Sequence, residues 1–478
     1  MKHLFPVINK TVFVILLTVL LTFQVFSQKA KYVFFFIGDG MGLAHVAATE
    51  AYLASKENKI GFEKLSFTKF PVAGLATTFA ENRLITCSAA AGTALATGQK
   101  TTINTISMDG KREKALVTTA ELAKEKGFKV GIISSVSIDH ATPAVFYAHQ
   151  PSRSNYYQIS LELPESGFDF FGGGGFRDPF YRNTNNTSVF SSAPEKGYTF
   201  TATKEDFYKL TPSAGKVIAI GTKLQPYATL RFAIDQTDED IPLEDFVEKG
   251  IELLDNEKGF FMMCEEGQID WAAHSNDGAT VIKNVLSLSK AVGKALEFYQ
   301  KHPDETLVIV TADHETGGLA LGWAGTYYES NLKLIDEQKI SSYEFGVLAD
   351  SLLKEPANRN SEYAMKLVEK YFGLGGNAEL TLSEREKTLL DQAFKVMTDT
   401  TLTISKEDKE LLYGGENPIA VAASRILNNR AGLSWGTWSH TAIPVPVFAI
   451  GAGQEQFEGY FDNTDIPKKI RNLMGLEK

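Results

Sequence analysis

Short apolar runs recur along the chain at Tyr32–Ile37, Val72–Phe79, Lys129–Ser135, Val217–Gly221, Gly259–Cys264, Thr306–Thr311 and Pro446–Ile450. Each is nearly continuous in hydrophobic residues, the pattern of a strand covered on both faces. Between them Ala115–Lys126, Leu243–Asn256 and Asn276–Lys301 mix apolar and charged positions at the spacing of amphipathic helices. The alternation predicts an α/β fold, with a large, mostly parallel central sheet flanked by helices on both faces.

Two regions break this rhythm. Residues 167–231 carry the run Gly172–Gly175, many turn-forming residues and few strong strands, and read as an irregular excursion. Residues 323–429 read as largely helical, with candidates at Ser341–Leu353, Ser361–Phe372, Ser383–Met397 and Lys406–Leu412. This second segment separates Asp313-His314 from His440, so it is expected to be an insertion folded over one shared site rather than an independent domain.

With 478 residues, 44% of them hydrophobic, the chain can bury a large core, and one big domain over 28–478 with insertions, or at most two domains, is expected. Lys2, His3 and Lys10 precede the apolar run Thr11–Phe26, and Ser27 then gives way to polar Gln28-Lys29. That order predicts a signal peptide over 1–27, cleaved after Ser27, and a periplasmic or secreted protein with no stable membrane span. A retained anchor is the alternative, because the run approaches the length of a bilayer crossing. The net charge of −10, without any basic block, argues against a nucleic-acid surface or an anionic membrane as partner. Cys87 and Cys264 are too few for a disulfide scaffold; two buried free thiols are expected, with pairing left open.

The candidate chemistry lies in a few polar residues. Asp270 and His274 are four apart and share one face if helical, and Asp313-His314 and His440 add nitrogen and carboxylate donors. Donors of this mixture suit zinc, and a set without cysteine belongs with catalytic rather than structural sites. Asp39 leaves the end of an apolar strand between glycines; a dinucleotide fingerprint fails there because Leu43 stands where glycine is required. Ser88 opens a small-residue run that looks like a helix start, where free backbone N–H groups would face an anion, although a capping serine is the plainer reading. A Gly-x-Ser-x-Gly elbow is absent, which disfavours an ordinary serine esterase. His140 and Thr142 follow another strand, Arg153 offers a planar fork for a tetrahedral oxyanion, and Glu265 is a carboxylate of the kind magnesium prefers.

Taken in order, Gly38-Asp39-Gly40-Met41, Cys87-Ser88-Ala89-Ala90, His140-Ala-Thr142-Pro143, Ala148-His-x-x-x-Arg153, Glu265-x-x-x-x-Asp270-x-x-x-His274, Thr311-Ala-Asp313-His314 and Ser439-His440-Thr441 resemble the alkaline phosphatases. The resemblance runs from residue 32 to about 455, and 323–429 carries no motif of it. It implies an exported phosphomonoesterase with two Zn2+ and one Mg2+ per chain, acting on small phosphate monoesters and releasing inorganic phosphate. Ser88 would be the nucleophile that becomes phosphorylated, and Arg153 would grip two phosphate oxygens. Asp270, His274 and His440 would hold one zinc and Asp39, Asp313 and His314 the other, with Asp39, Thr142 and Glu265 on magnesium. Members of the family are commonly dimers, so a homodimer is an open expectation.

Rival readings are a phosphodiesterase of the same superfamily and an exported metal- or phosphate-binding protein without turnover. Diesterases resembling this core typically carry threonine where Ser88 stands, and a mere binder would have ligands without a nucleophile. A sulfatase needs proline two residues after the modified side chain, and Ala90 occupies that place.

Three departures from the family pattern bear on phosphate. Cys87 stands where an aspartate usually orients the arginine, His140 replaces an aspartate, and Trp271 replaces a lysine; His140 and Trp271 are both expected to face substrate. Fewer charges around the product should speed its release, which often limits turnover. Cys87→Asp and Trp271→Lys are each therefore expected to strengthen inhibition by inorganic phosphate, and an unchanged inhibition constant in both would refute the account.

Overall fold

The computed structural model describes residues 29–180, 187–399, 402 and 404–477. The expected signal peptide at 1–27 lies outside them. Strands run in chain order as β1 (Tyr32–Gly38), β2 (Val72–Thr77), β3 (Lys129–Ser134), β4 (Phe170–Gly173), β5 (Tyr198–Thr201), β6 (Lys216–Ile220) and β7 (Phe260–Glu266). They continue as β8 (Thr306–Thr311), β9 (Glu315–Thr316), β10 (Ala320–Leu321), β11 (Leu433–Ser434), β12 (His440–Thr441), β13 (Val445–Gly451) and β14 (Gly459–Asp462). Ten of them form one sheet in the order β14-β2-β13-β8-β1-β7-β3-β4-β6-β5. Only β13 runs antiparallel to its neighbours, β2 and β8.

The predicted α/β architecture is what forms, and its centre is the most apolar part of the sequence. Every residue of β1, β7 and β8 is buried, including Phe34, Phe35 and Phe36 side by side. Burying a phenylalanine contributes about 1.5–3 kcal/mol, so these strands carry much of the folding free energy. The helices Leu243–Leu254 and Gly278–Tyr299 turn apolar faces onto the sheet, within two residues of their expected ends.

Residues 167–231 differ from the expectation of an irregular excursion. They supply β4, β5 and β6, which complete one edge of the sheet. Their strands are only four or five residues long, so turn residues outweigh strand residues in any sequence window.

Residues 323–429 fold as helices, including Ser342–Leu352, Ser361–Phe372, Glu384–Thr398, Lys406–Tyr413 and Pro418–Ala431. They enclose a second apolar cluster, with Phe345, Leu367, Phe372, Leu390 and Ile426 packed together with Ala48, Tyr52, Ala279 and Ile282 of the main body. The two ends of the segment meet in an antiparallel pair, Ala320 opposite Ser434 and Leu321 opposite Leu433. Asp277 ties this segment down. It caps the helix Gly278–Tyr299 and accepts from Gln338 Nε2 at 2.9 Å and Ser342 N at 2.7 Å. Asp277→Ala is expected to cost about 2–4 kcal/mol, because several buried donors lose a charged acceptor together. Hydrogen exchange should speed up in Ser342–Leu352 before it does in β1, and equal loosening of both would contradict this.

Candidate active site

Register brings the candidate donors to one edge of the sheet. Ile37 of β1 lies opposite Glu265 of β7 on one side and Thr311 of β8 on the other, so the three strands end together. Asp39, Glu265 and Asp313 therefore emerge side by side at the carboxyl ends of parallel strands, where open α/β sheets hold their ligands. The loop after β1 can pass this close to the helix Gln268–His274 only because residue 40 is glycine. Its φ is +72°, and a Cβ there would lie 2.9 Å from the Asp270 Cα and 2.8 Å from the Thr316 Oγ1. Pairing of β12 with β9 sets His440 opposite Thr316, which carries it next to His314 across more than a hundred residues of sequence.

Three imidazoles present the same nitrogen to this space. His440 Nδ1 donates to the Thr86 carbonyl at 2.9 Å, and His274 Nδ1 donates to the Trp438 carbonyl at 2.5 Å. The Thr316 hydroxyl donates to Asp270 Oδ1 at 2.5 Å and so accepts from His314 Nδ1 at 3.2 Å. With the protons on Nδ1, each Nε2 keeps its lone pair. These lone pairs face other acceptors: His274 Nε2 is 3.1 Å from His440 Nε2 and 3.4 Å from Asp270 Oδ1. His314 Nε2 is 3.3 Å from Asp39 Oδ1 and 3.4 Å from Asp313 Oδ2.

Acceptors facing acceptors need a cation among them, and the donor set fits one. Asp39 Oδ1, Asp313 Oδ2 and Glu265 Oε1 are buried without a hydrogen-bond partner among the described residues. Three groups have ligand atoms within 4.8 Å of one another: Asp270, His314 and His440; Asp39, Asp313 and His314; and Asp39, His140 and Glu265. Nitrogen and oxygen donors with carbonyls fixing the far side of each ring are the usual surroundings of zinc. One group has the expected members Asp39, Asp313 and His314; in the other two His314 stands where His274 was expected and His140 where Thr142 was, with His274 Nε2 3.1 Å from His440 Nε2. His314 sits between both proposed zinc groups, and His140, expected only near substrate, reaches the third group. Thr142 is there too, its hydroxyl 3.4 Å from Asp39 Oδ2.

Ser88 is the first residue of the helix Ser88–Thr97, and the preceding Cys87 caps it without a side-chain hydrogen bond. Its Oγ lies 3.3 Å from His314 Nε2. Arg153 donates from Nη2 to His140 Nε2 at 2.9 Å, and its backbone N–H donates to the Asn104 carbonyl at 2.7 Å. Asn104 N–H in turn donates to Cys87 Sγ at 3.2 Å, so the thiol steadies Arg153 through one residue of backbone. Cys264 is a buried free thiol as expected, whereas Cys87 is free but only half-buried. Above Ser88 opens a cavity of about 450 Å³, lined among others by Arg153, His140, Trp271, His274 and His440.

Burial and mutual repulsion shift the carboxyls upward. Burial, then the charge of Asp313, pushes Glu265 to about 8, and burial, then Asp270, pushes Asp313 to about 7. Asp39 is raised by burial and by its neighbours Asp313, Asp270 and Glu265. Burial acts upward on Asp270 as well, but His274, His440 and His314 hold it below the ordinary carboxylate range. His314 and His140 are pushed well below the usual imidazole value by burial, followed by His440 for the first and Arg153 for the second.

Sequence reasoning missed several contributors. Thr316 fixes both Asp270 and His314, and Ser134 donates to Glu265 at 2.5 Å. Arg177, Tyr227, Phe232, Tyr343 and Glu416 complete the cavity lining. Thr316 lies only two residues beyond His314, between Glu315 and Gly317. The others lie far off in sequence, and nothing local marks them.

Fold and donor set together define a class of α/β hydrolases built around clustered metal ligands. The family model for alkaline phosphatase matches residues 30–173 and 182–476. Alkaline phosphatase 3 of Bacillus subtilis (strain 168) is 32% identical over 457 residues, covering 93% of this chain and 89% of its own. The alkaline phosphatase of Escherichia coli (strain K12) is 30% identical over 60% of this chain and 70% of its own. A cold-active alkaline phosphatase from a psychrophile, Shewanella sp., superposes with TM-score 0.77 at 28% identity, covering 93% of this chain and 99% of that one. The chain belongs to the alkaline phosphatase family and is a phosphoric monoester hydrolase.

Raised carboxyls have a consequence for stability. Between the ordinary carboxylate range and about 7 to 8, the folded protein stripped of metal holds protons on Asp313 and Glu265 that the unfolded chain has released. Its stability should therefore fall as pH rises through that window. Urea midpoints of chelated protein are expected to drop between about pH 5 and about pH 9, and zinc should reverse the drop. A flat profile, or a rise, would contradict the placement of these acids.

Proposed function

We propose that this enzyme is an exported, metal-dependent phosphomonoesterase that works through a phosphoserine at Ser88. The observation that carries the reading is the 3.3 Å approach of Ser88 Oγ to His314 Nε2, on the imidazole common to two clusters of metal donors. Export rests on Lys2, His3, Lys10 and the apolar run before Ser27. Residues 28–478 are read as one catalytic unit, with 323–429 inserted over the site.

Asp270, His274 and His440 would hold one zinc, Asp39, Asp313 and His314 the second, and Asp39, Thr142 and Glu265 a magnesium, with His140 beside them. Ions bound there supply Lewis-acid charge that favours an ionised serine and neutralises the departing oxygen. Ser88 Oγ forms the bond to phosphorus as the ester P–O bond breaks and the alcohol departs. Arg153 holds two of the non-bridging oxygens through its planar fork, and the free N–H groups at the start of the Ser88 helix face the same anion. Attack of water on phosphorus then frees the serine and yields inorganic phosphate. His140 and Trp271 shape the space around the bound phosphate and its leaving group.

The test is hydrolysis of a chromogenic phosphate monoester beside the matching diester and sulfate, before and after chelation. Ser88→Ala is expected to lose about a thousandfold or more in turnover while keeping its zinc content. Chelation should abolish activity and zinc with magnesium should restore it. Full activity in Ser88→Ala, or faster cleavage of the diester than of the monoester, would overturn the reading.

A further inference from the structure

The cavity above Ser88 carries aromatic rings that the chemistry at phosphorus does not use. Tyr227 is the most telling. Its backbone is left-handed, φ 65° and ψ 18°, and Ala228 beside it also has positive φ, at 59°. Holding a bulky residue there costs about 1–3 kcal/mol, and glycine or asparagine would avoid most of it. Burial offsets only part of this, because Tyr227 is 54% exposed. A strained, exposed ring at the mouth of an active-site cavity calls for a reason outside folding.

The ring is nonetheless held firmly. It meets Trp271 edge-on, with centroids 5.8 Å apart and planes at 77°. The Arg177 guanidinium lies 4.5 Å over Tyr227 and 4.6 Å over Tyr156, and its Nη1 donates to the Tyr156 hydroxyl at 3.0 Å. The backbone N–H of Arg177 is gripped by both carboxylate oxygens of buried Asp139, at 3.1 and 2.9 Å, next to His140 in sequence. A second ring pair, Phe232 with Tyr343, lines the same cavity at 6.4 Å, and Tyr343 comes from the inserted helical segment. The volume of about 450 Å³ is that of a small organic ligand rather than of phosphate alone. Glu416, also on the lining, adds an acceptor for a sugar hydroxyl.

We propose that these rings form a leaving-group subsite that stacks a planar base, so that nucleoside 5′-monophosphates are preferred to sugar phosphates of equal chemical reactivity. This rests on the phosphomonoesterase reading of Ser88 and names its substrate class. Stacking suits the rings because every base has a π-face and sequence-independent stacking on aromatic side chains is strong.

The experiment compares adenosine 5′-monophosphate with ribose 5-phosphate on the metal-loaded enzyme. Both release the same primary alcohol oxygen, so their ratio of kcat/KM reads the base and not the leaving group. A preference of about tenfold or more for the nucleotide is expected from one well-stacked ring. Tyr227→Gly, which removes the ring and suits the left-handed backbone, should lower that ratio several-fold, and Tyr227→Phe should keep it. Tyr343→Ala should lower it independently. Equal use of both substrates by the unaltered enzyme, or a ratio untouched in Tyr227→Gly and Tyr343→Ala alike, overturns the subsite. Failure of the metal-loaded enzyme to hydrolyse either substrate would instead count against the phosphomonoesterase reading.

Discussion

Crowding of buried acceptors at the ends of β1, β7 and β8 is the constraint on which the rest of this structure depends. Asp39, Glu265, Asp270 and Asp313 are all buried, and three imidazoles turn lone pairs toward the same space. Each ionised carboxylate makes the next harder to ionise in a low-dielectric interior. Such an arrangement is stable only with protons or metal ions among the oxygens. The negative net charge of the chain matters little beside that local demand.

Rigidity comes from the sheet. β1, β7 and β8 are buried along their whole lengths, so their register cannot slip without exposing phenylalanine or leaving strand groups unpaired. That register fixes where Asp39, Glu265 and Asp313 leave the strands. The remaining donors come by other routes: Asp270 and His274 from one face of a short helix, and His440 from a two-residue ladder with Thr316. Backbone carbonyls of Thr86 and Trp438 then settle which nitrogen of each ring carries the proton. The clustered donors are thus supported by the stiffest elements of the fold.

Around this fixed centre the mouth is built from residues of several separate elements. Arg153 leans on His140 and, through Asn104, on Cys87. Aromatic rings from three separate parts of the chain, including the inserted helices, form the outer lining. The second apolar cluster lets that insertion pack against the main body without disturbing the sheet.

Much of this was legible in the sequence because its cause is local. Continuous apolar runs marked the central strands, and a three- or four-residue repeat marked the long helices, since burial on two faces or one leaves that imprint. Asp39, Ser88, Asp270-Trp-Ala-Ala-His274 and Asp313-His314 stood out because they put carboxylate, imidazole or hydroxyl groups next to apolar strands or at the start of a helix. The edge strands β5 and β14 and the interior strand β4 did not stand out, being too short for any period to emerge. Nor could sequence alone reveal that His314 is shared between donor groups, that His140 reaches the third of them, or that Tyr227 and Tyr343 line one cavity. Those relations join residues up to more than a hundred positions apart, and only strand register and helix packing, which are properties of the whole folded chain, decide which side chains meet.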